Sequence, residues 1–149
     1  MNQKIISSEE AVKLVKSGDT LAIQAFVGMA HAEELSVMLE KRFLSTGQPT
    51  NLTLYYGAGN GDGKDKCANH YAHPGLLKRV IGSHYNLAPK LGKIVAENQI
   101  EGYAFPQGVL LHVYRNMAGK KPGVITHVGL KTFADPRAEG GKLNAKTTE

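Results

Sequence analysis

The chain has 149 residues and a formal net charge of +5, with 42% hydrophobic and 21% charged residues. This length fits one domain, and the composition is that of an ordinary globular core. No apolar run is long enough to cross a bilayer, and the first residues lack the apolar region of a signal peptide. The single cysteine, Cys67, cannot form an internal disulfide. Together these features predict a cytoplasmic protein without a membrane partner.

The positive charge does not by itself indicate nucleic-acid binding. The lysines and arginines are scattered, no run forms a basic tract, and RNA-binding or helix-turn-helix signatures are absent. A mildly basic surface serves a phosphate-bearing ligand equally well. We therefore predict no nucleic-acid partner, and a basic nucleic-acid-binding module stays as an alternative.

Helical and strand patterns alternate along the chain. Ser7 and Glu10 have the spacing of a capping box and open a helix that Gly18 ends. Further helices are predicted over about 32–44, 89–98 and 109–117, and a helical or irregular segment over 68–77. Strands are predicted over 21–26, 51–56, 79–85, 100–105 and 124–128. This order predicts an α/β fold, an open and mostly parallel sheet with helices on both faces.

The last stretch, 134–149, differs from the rest. It contains Gly140 and Gly141, has little apolar content and cannot build a core by itself. We expect it to be a poorly packed tail, either a frayed terminus or a segment that packs on a larger polypeptide.

Gln107 is the candidate catalytic residue. The strand over 100–105 must stop at Pro106, which has no N–H to donate, and Gln107 follows at the tip beside Gly108. A carboxamide at a strand end, next to a helix N-terminus, is a good hydrogen-bond donor to a developing oxyanion. The alternative is that Gln107 only caps the helix or fixes the loop.

Two glycine-bearing loops are candidate ligand sites. Gly59 and Asn60 lie in 57–63, which has four glycines but matches neither the dinucleotide fingerprint nor a P-loop. Such a loop lets a ligand approach the backbone. Gly28 and Met29 precede a helix N-terminus, where small residues would admit a carboxylate or thioester. Close strand-to-helix packing explains this turn equally well.

One pattern suggests a metal. Cys67, His70 and His73 follow one another at a spacing of three residues. No further histidine, cysteine or acidic ligand stands at a familiar spacing, and a cysteine nucleophile would lack its local signature. We therefore predict no metal site.

Several segments together resemble a known enzyme family. They are FVG at 26–28, the Gly/Asn loop at 57–63, FPQGVL at 105–110, KPGVIT at 121–126, GLKTFADPR at 129–137 and GGKLN at 140–144. In this order they resemble the N-terminal part of a family I CoA-transferase. They are most similar to the fused short-chain acyl-CoA transferases of the acetate and propionate type.

The resemblance implies an enzymatic activity and a role for each candidate site residue. Such enzymes move CoA between carboxylic acids through an acyl-glutamyl anhydride and a glutamyl-CoA thioester, with CoA as a substrate and no separate cofactor. Gln107 would donate to the oxyanion. The pocket for the acyl group would be lined by loops that hold Gly28, Met29, Gly59, Asn60 and Gly108.

The family's nucleophilic glutamate lies in a second half that these 149 residues do not include. We therefore expect residues 1–149 to form an incomplete N-terminal domain that is inactive alone. Its expected partners are the missing C-terminal half, the acyl-CoA and acid substrates, and further copies in a homo-oligomer. The alternative is a non-catalytic domain that binds an acyl-CoA or another phosphate ester through 57–63.

Overall fold

The computed structural model describes residues 4–148. Its helices are α1 (Ser8–Val12), α2 (Glu33–Thr46), α3 (Pro89–Ala96) and α4 (Gln107–Ala118), with a 3-10 helix over Cys67–Tyr71. Its strands are β1 (Thr20–Ala22), β2 (Leu52–Tyr55), β3 (Leu77–Gly82) and β4 (Glu101–Ala104). None of the helices within 4–148 has the length and apolar content needed to cross a membrane.

The four strands form one sheet in the order β1-β2-β3-β4, and every neighbouring pair is parallel. Parallel strands need a crossover between them, so each strand starts at the same side of the sheet. All four carboxyl ends therefore meet at one edge, where α/β proteins place their ligands.

The side chains of β2 show how helices cover both faces of the sheet. Leu52 and Leu54 point to one face, where they join a core built with residues of α2, the 3-10 helix and α3. Tyr55 points to the other face and donates a hydrogen bond to the carbonyl of Leu110 in α4 at 2.7 Å. Its ring also meets Tyr114 of α4 edge-on, with centroids 4.8 Å apart. The predicted α/β class is therefore confirmed.

The predicted capping box is present, since the Ser7 side chain accepts from the Glu10 N–H and Glu10 reaches back to Ser7. The predicted strand over 124–128 is wrong. Its residues pair with no strand within the described chain, and Ile125 is fully exposed. The alternating apolar pattern there does not reach the sheet, because another segment occupies the open edge of β4.

That segment is the tail, whose described residues 134–148 are docked and not poorly packed as expected. Tyr103 and Lys142 form an antiparallel bridge, and the N–H of Ala104 donates to the carbonyl of Gly141 at 2.8 Å. The N–H of Gly102 donates to Oγ1 of Thr147 at 2.9 Å. The expectation rested on low apolar content, whereas hydrogen bonds to a sheet edge hold the tail in place.

Asn144 fixes the tail to the core, and we predict that Asn144→Ala destabilises the domain. Its Nδ2 donates to the carbonyls of Val95 at 2.7 Å and Ile100 at 2.8 Å. Its Oδ1 accepts from Oγ1 of Thr147 at 2.6 Å. Loss of these hydrogen bonds, which leaves the Ile100 carbonyl without its Asn144 partner, should cost about 1–3 kcal/mol in the free energy of unfolding, measured by urea titration.

The matched control is Glu139→Ala, an exposed tail residue, which should change the free energy of unfolding by no more than about 0.5 kcal/mol. Equal stability of the two variants would show that the tail does not depend on Asn144.

Candidate functional site

The loops after β1 and β2 are joined at the carboxyl edge of the sheet by backbone hydrogen bonds. The N–H of Val27 donates to the carbonyl of Gly59 at 2.9 Å, and the N–H of Gly61 donates to the carbonyl of Val27 at 2.8 Å. Val27 and Asn60 thus form an isolated parallel bridge beyond the strands. This bridge brings the turn that holds Gly28 beside the glycine-rich loop.

The loop after β2 rests directly on the loop after β3. A Cβ added at Gly59 would lie 2.4 Å from Nε2 of His84, and one added at Gly61 would lie 1.8 Å from the carbonyl oxygen of Leu87. The carbonyl of His84 accepts a hydrogen bond from the Tyr56 hydroxyl at 3.0 Å, which fixes the backbone at this position. Glycine is required at position 61 because the backbone of the neighbouring loop leaves no room for a side chain, whereas a side chain at position 59 would have to displace the His84 ring.

Gln107 is the first residue of α4 and lies at the end of β4, with Pro106 as the preceding cap residue. It is exposed and lines an open cavity of about 430 Å³ together with Ser83, His84 and Phe105. Pro106, at the N-cap position, makes no side-chain capping hydrogen bond. Gln107 is therefore an exposed carboxamide residue on the wall of this cavity.

The sequence-predicted site residues lie along this one edge. The Val27–Asn60 bridge links the first two loops, the Gly59–His84 contact links the next two, and His84 shares the cavity with Gln107. The exposed members are Gly28, Met29, Gln107 and Gly108, whereas Gly59 and Asn60 are buried. Their chemical roles stay predictions.

Two buried polar side chains at this edge have no hydrogen-bond partner among the described residues. Asn60 is only 1% exposed, and neither its Oδ1 nor its Nδ2 is paired. Oγ of Ser83 is buried and unpaired as well. An unpaired buried polar group costs about 1–3 kcal/mol, so its retention is typical of a functional site.

Large apolar side chains are uncovered around the same edge. Phe26 and Met29, in the loop after β1, are more than half exposed, as is Val128, which precedes the cavity residue Gly129. Exposed apolar surface of this kind marks contact with a ligand or with another protein segment.

The histidines suggested by spacing do not form a metal cluster with Cys67. Nε2 of His70 lies 2.9 Å from Glu33 and its Nδ1 lies 2.6 Å from Glu40, and Nε2 of His73 lies 2.6 Å from Glu40. Burial lowers the pKa of His70, but the hydrogen bonds to Glu33 and Glu40 outweigh it and raise the pKa above its usual value. Within residues 4–148, Cys67 instead lies near Glu33 and a different histidine.

Two features of the site were missed by the sequence analysis. His84 carries no recognisable motif, and only the three-dimensional contact with Gly59 identifies it. Glu33 and Glu40 are seven residues apart on α2, so they share one helix face. This spacing could have indicated that both glutamates bind the histidines. It was not decisive, because an acid in a first helical turn, such as Glu33, is also favoured by the helix dipole.

Known proteins match nearly the whole chain. A caffeate CoA-transferase from Acetobacterium woodii is 37% identical over 146 residues, which cover 98% of this chain and 28% of that protein. An acetate CoA-transferase subunit alpha from Escherichia coli K12 is 22% identical over 148 residues, 99% of this chain and 64% of that subunit. No protein-family model matches the chain.

A solved structure has the same fold. It is an acyl-CoA transferase, YdiF, from Escherichia coli O157:H7, in a thioester complex with CoA, at a TM-score of 0.94 and 34% identity. The match covers 97% of this chain and 30% of that one. The present chain therefore spans less than a third of the length of the caffeate CoA-transferase and of YdiF.

The two glycines at this edge give a matched stability test. In Gly61→Ala the added methyl would lie 1.8 Å from the carbonyl oxygen of Leu87, so the backbone must shift, and overpacking of this kind costs about 1–3 kcal/mol in the free energy of unfolding. In Gly108→Ala the methyl meets no atom within 4 Å and lies in α4, where alanine is favoured by roughly 0.5–1 kcal/mol. The urea midpoint should therefore fall in Gly61→Ala and rise in Gly108→Ala, and equal shifts would contradict the close approach of Gly61 to Leu87.

Proposed function

We propose that this chain, which is homologous to part of the CoA-transferases and has their fold, belongs to an enzyme that moves CoA between short-chain carboxylic acids. In this proposal the chain supplies the oxyanion donor and the loops of the acyl pocket. The observation that carries it is the Gln107 carboxamide, which faces an open cavity at the carboxyl edge of a parallel sheet.

The proposed reaction needs such a donor at each step. A carboxylate attacks the thioester carbonyl carbon, the electron pair moves onto the carbonyl oxygen, and CoA thiolate leaves to give an acyl-glutamyl anhydride. The thiolate then attacks the glutamyl carbonyl and releases the acid, which gives the glutamyl-CoA thioester. Both additions place negative charge on an oxygen, and a fixed N–H donor stabilises that charge without acting as a nucleophile.

The attacking glutamate comes from outside this chain in our proposal. The chain spans 28% of the caffeate CoA-transferase that it matches, which leaves room for a second part with the nucleophile. The exposed apolar side chains Phe26, Met29 and Val128 offer a surface on which that part would pack. Coenzyme A enters as a substrate, so this reaction calls for no prosthetic group.

The non-catalytic alternative, a phosphate ester bound by 57–63, has less support from the loop geometry. The N–H of Gly61 already donates to the carbonyl of Val27 at 2.8 Å, and the N–H of Gly63 donates to the carbonyl of Leu87 at 2.9 Å. A phosphate cradle needs free N–H groups that point at the ligand. We therefore assign the edge to acyl transfer.

We further propose that the complete protein works in the cytoplasm as a homo-oligomer. The sole cysteine is a free and buried thiol, which suits a reducing compartment. The uncovered apolar surface around the site supports association with further polypeptide.

The purified chain alone should not transfer CoA from acetyl-CoA to a second short-chain acid, because it lacks the nucleophile. Acyl-CoA products are separated by chromatography after incubation with propionate, and the complete enzyme serves as the positive control. Turnover by the chain alone at a rate comparable to the complete enzyme would contradict an external nucleophile.

In the complete enzyme, Gln107→Ala should lower kcat by roughly 10²–10³, the loss that follows removal of one oxyanion donor, with little change in substrate affinity. The matched control is Gln99→Ala, since Gln99 precedes β4 at the opposite edge of the sheet. An effect on KM alone would favour the binding-domain alternative.

A further inference from the structure

Three side chains with different donor atoms converge where the loop after β1 meets α2 and the 3-10 helix. A ring nitrogen of His31, a carboxylate oxygen of Glu33 and Sγ of Cys67 all lie within 4.8 Å of one another. None of the three lines the cavity in front of Gln107. The CoA-transfer chemistry proposed above does not use them.

The imidazole of His31 is held in place but only half paired. Its side chain is 2% exposed, and its Nε2 lies 2.8 Å from Oγ of Ser36, which in turn lies 2.9 Å from the Tyr71 hydroxyl. Its Nδ1 is buried and has no hydrogen-bond partner among residues 4–148. Nε2 also lies 3.7 Å from a carboxylate oxygen of Glu33, so this nitrogen faces the cluster, and an ion bound there would replace its contact with Ser36.

Glu33 and Cys67 are oriented by their own contacts. One oxygen of Glu33 accepts from the backbone N–H of Cys67 at 3.0 Å, and the other accepts from Nε2 of His70 at 2.9 Å. Cys67 is buried and adopts a left-handed backbone conformation with φ of 61°. A residue other than glycine is strained there, and such strain is concentrated at functional positions.

We propose that His31, Glu33 and Cys67 bind a borderline-soft divalent transition-metal ion of the zinc class. Nitrogen, oxygen and sulfur donors together are the ligand set that zinc prefers. Bond lengths of roughly 2.0–2.3 Å in a tetrahedral site place ligand atoms about 3.3–3.8 Å apart, so the three groups need to contract by only about 1 Å. Three protein ligands leave the fourth position open to water or to an exogenous ligand.

The surroundings of the cluster suit this role. His70 holds the second oxygen of Glu33, as an outer partner of a metal ligand does, and the Ser36–Tyr71 pair fixes the position of the free imidazole. The side chain of Glu33 is about one-third exposed and gives an ion a path from solvent.

Cobalt(II) tests the proposal because it occupies zinc sites and absorbs light. Titration of the purified chain with CoCl₂ should produce a thiolate-to-cobalt charge-transfer band in the near ultraviolet, and stoichiometric ZnCl₂ should abolish the band. Absence of the band, or its persistence with excess zinc, overturns the proposal. This readout is independent of CoA transfer, so it separates this inference from the proposed function.

Two variants identify the ligands. Cys67→Gly should abolish the cobalt band because it removes the sulfur donor, and glycine fits the left-handed backbone at this position. His31→Gln should weaken zinc binding, measured by competition, by more than the roughly 10- to 100-fold that loss of an outer-shell partner costs. A band that survives Cys67→Gly, or an affinity unchanged in His31→Gln, overturns the assignment.

The matched control is His112→Gln, an exposed histidine on α4 away from the cluster, which should bind cobalt and zinc as the unmodified chain does. An equal loss of binding in His112→Gln would assign the metal to exposed histidines and would also overturn the proposal. Circular dichroism of each variant shows that its fold is retained.

Discussion

The parallel pairing of β1 to β4 in chain order is the constraint on which the whole site depends. Because each strand runs in the same direction as its neighbour, all four strands end at the same edge, and a loop follows each strand there. Asn60, His84 and Gln107 follow three different strands, and the sheet alone brings them to one side of the molecule. The glycines of the second loop then allow backbone contact where side chains would hold the loops apart.

Among the described residues, the buried polar side-chain atoms have partners except at this edge and at Nδ1 of His31. The hydroxyl of Tyr85 donates to the carbonyl of Tyr103 at 2.6 Å, and Asn144 satisfies two carbonyls at the far end of β4. Asn60 and Ser83, by contrast, are buried without partners among the described residues. The unpaired groups of Asn60 and Ser83 thus lie at the edge where charge would develop in the proposed reaction, and a polypeptide or substrate from outside the chain would complete them there.

Much of the fold was predictable, because hydrophobic periodicity and the capping box at Ser7 are local signals. Pro106 marked the strand end before Gln107 for an equally local reason. The errors concern competition between distant segments. The apolar pattern at 124–128 predicted a strand, but the tail pairs with the open edge of β4 through the bridge between Tyr103 and Lys142. His84 could not be identified from sequence, since its place under Gly59 exists only after the loops meet.

The proposed metal cluster and the acyl-pocket loop are physically connected. Sγ of Cys67 lies 3.7 Å from the carbonyl of Val27, and that carbonyl also accepts from the N–H of Gly61. His31 follows the turn that holds Gly28 and Met29. Cys67 is the first residue of the 3-10 helix and faces His31 across the proposed ion site. An ion bound between them would favour conformations in which this turn stays closed on the loop of Asn60, because binding stabilises the states that hold its ligands together. The metal would then act on CoA transfer through the order of the pocket wall, without touching the reacting atoms.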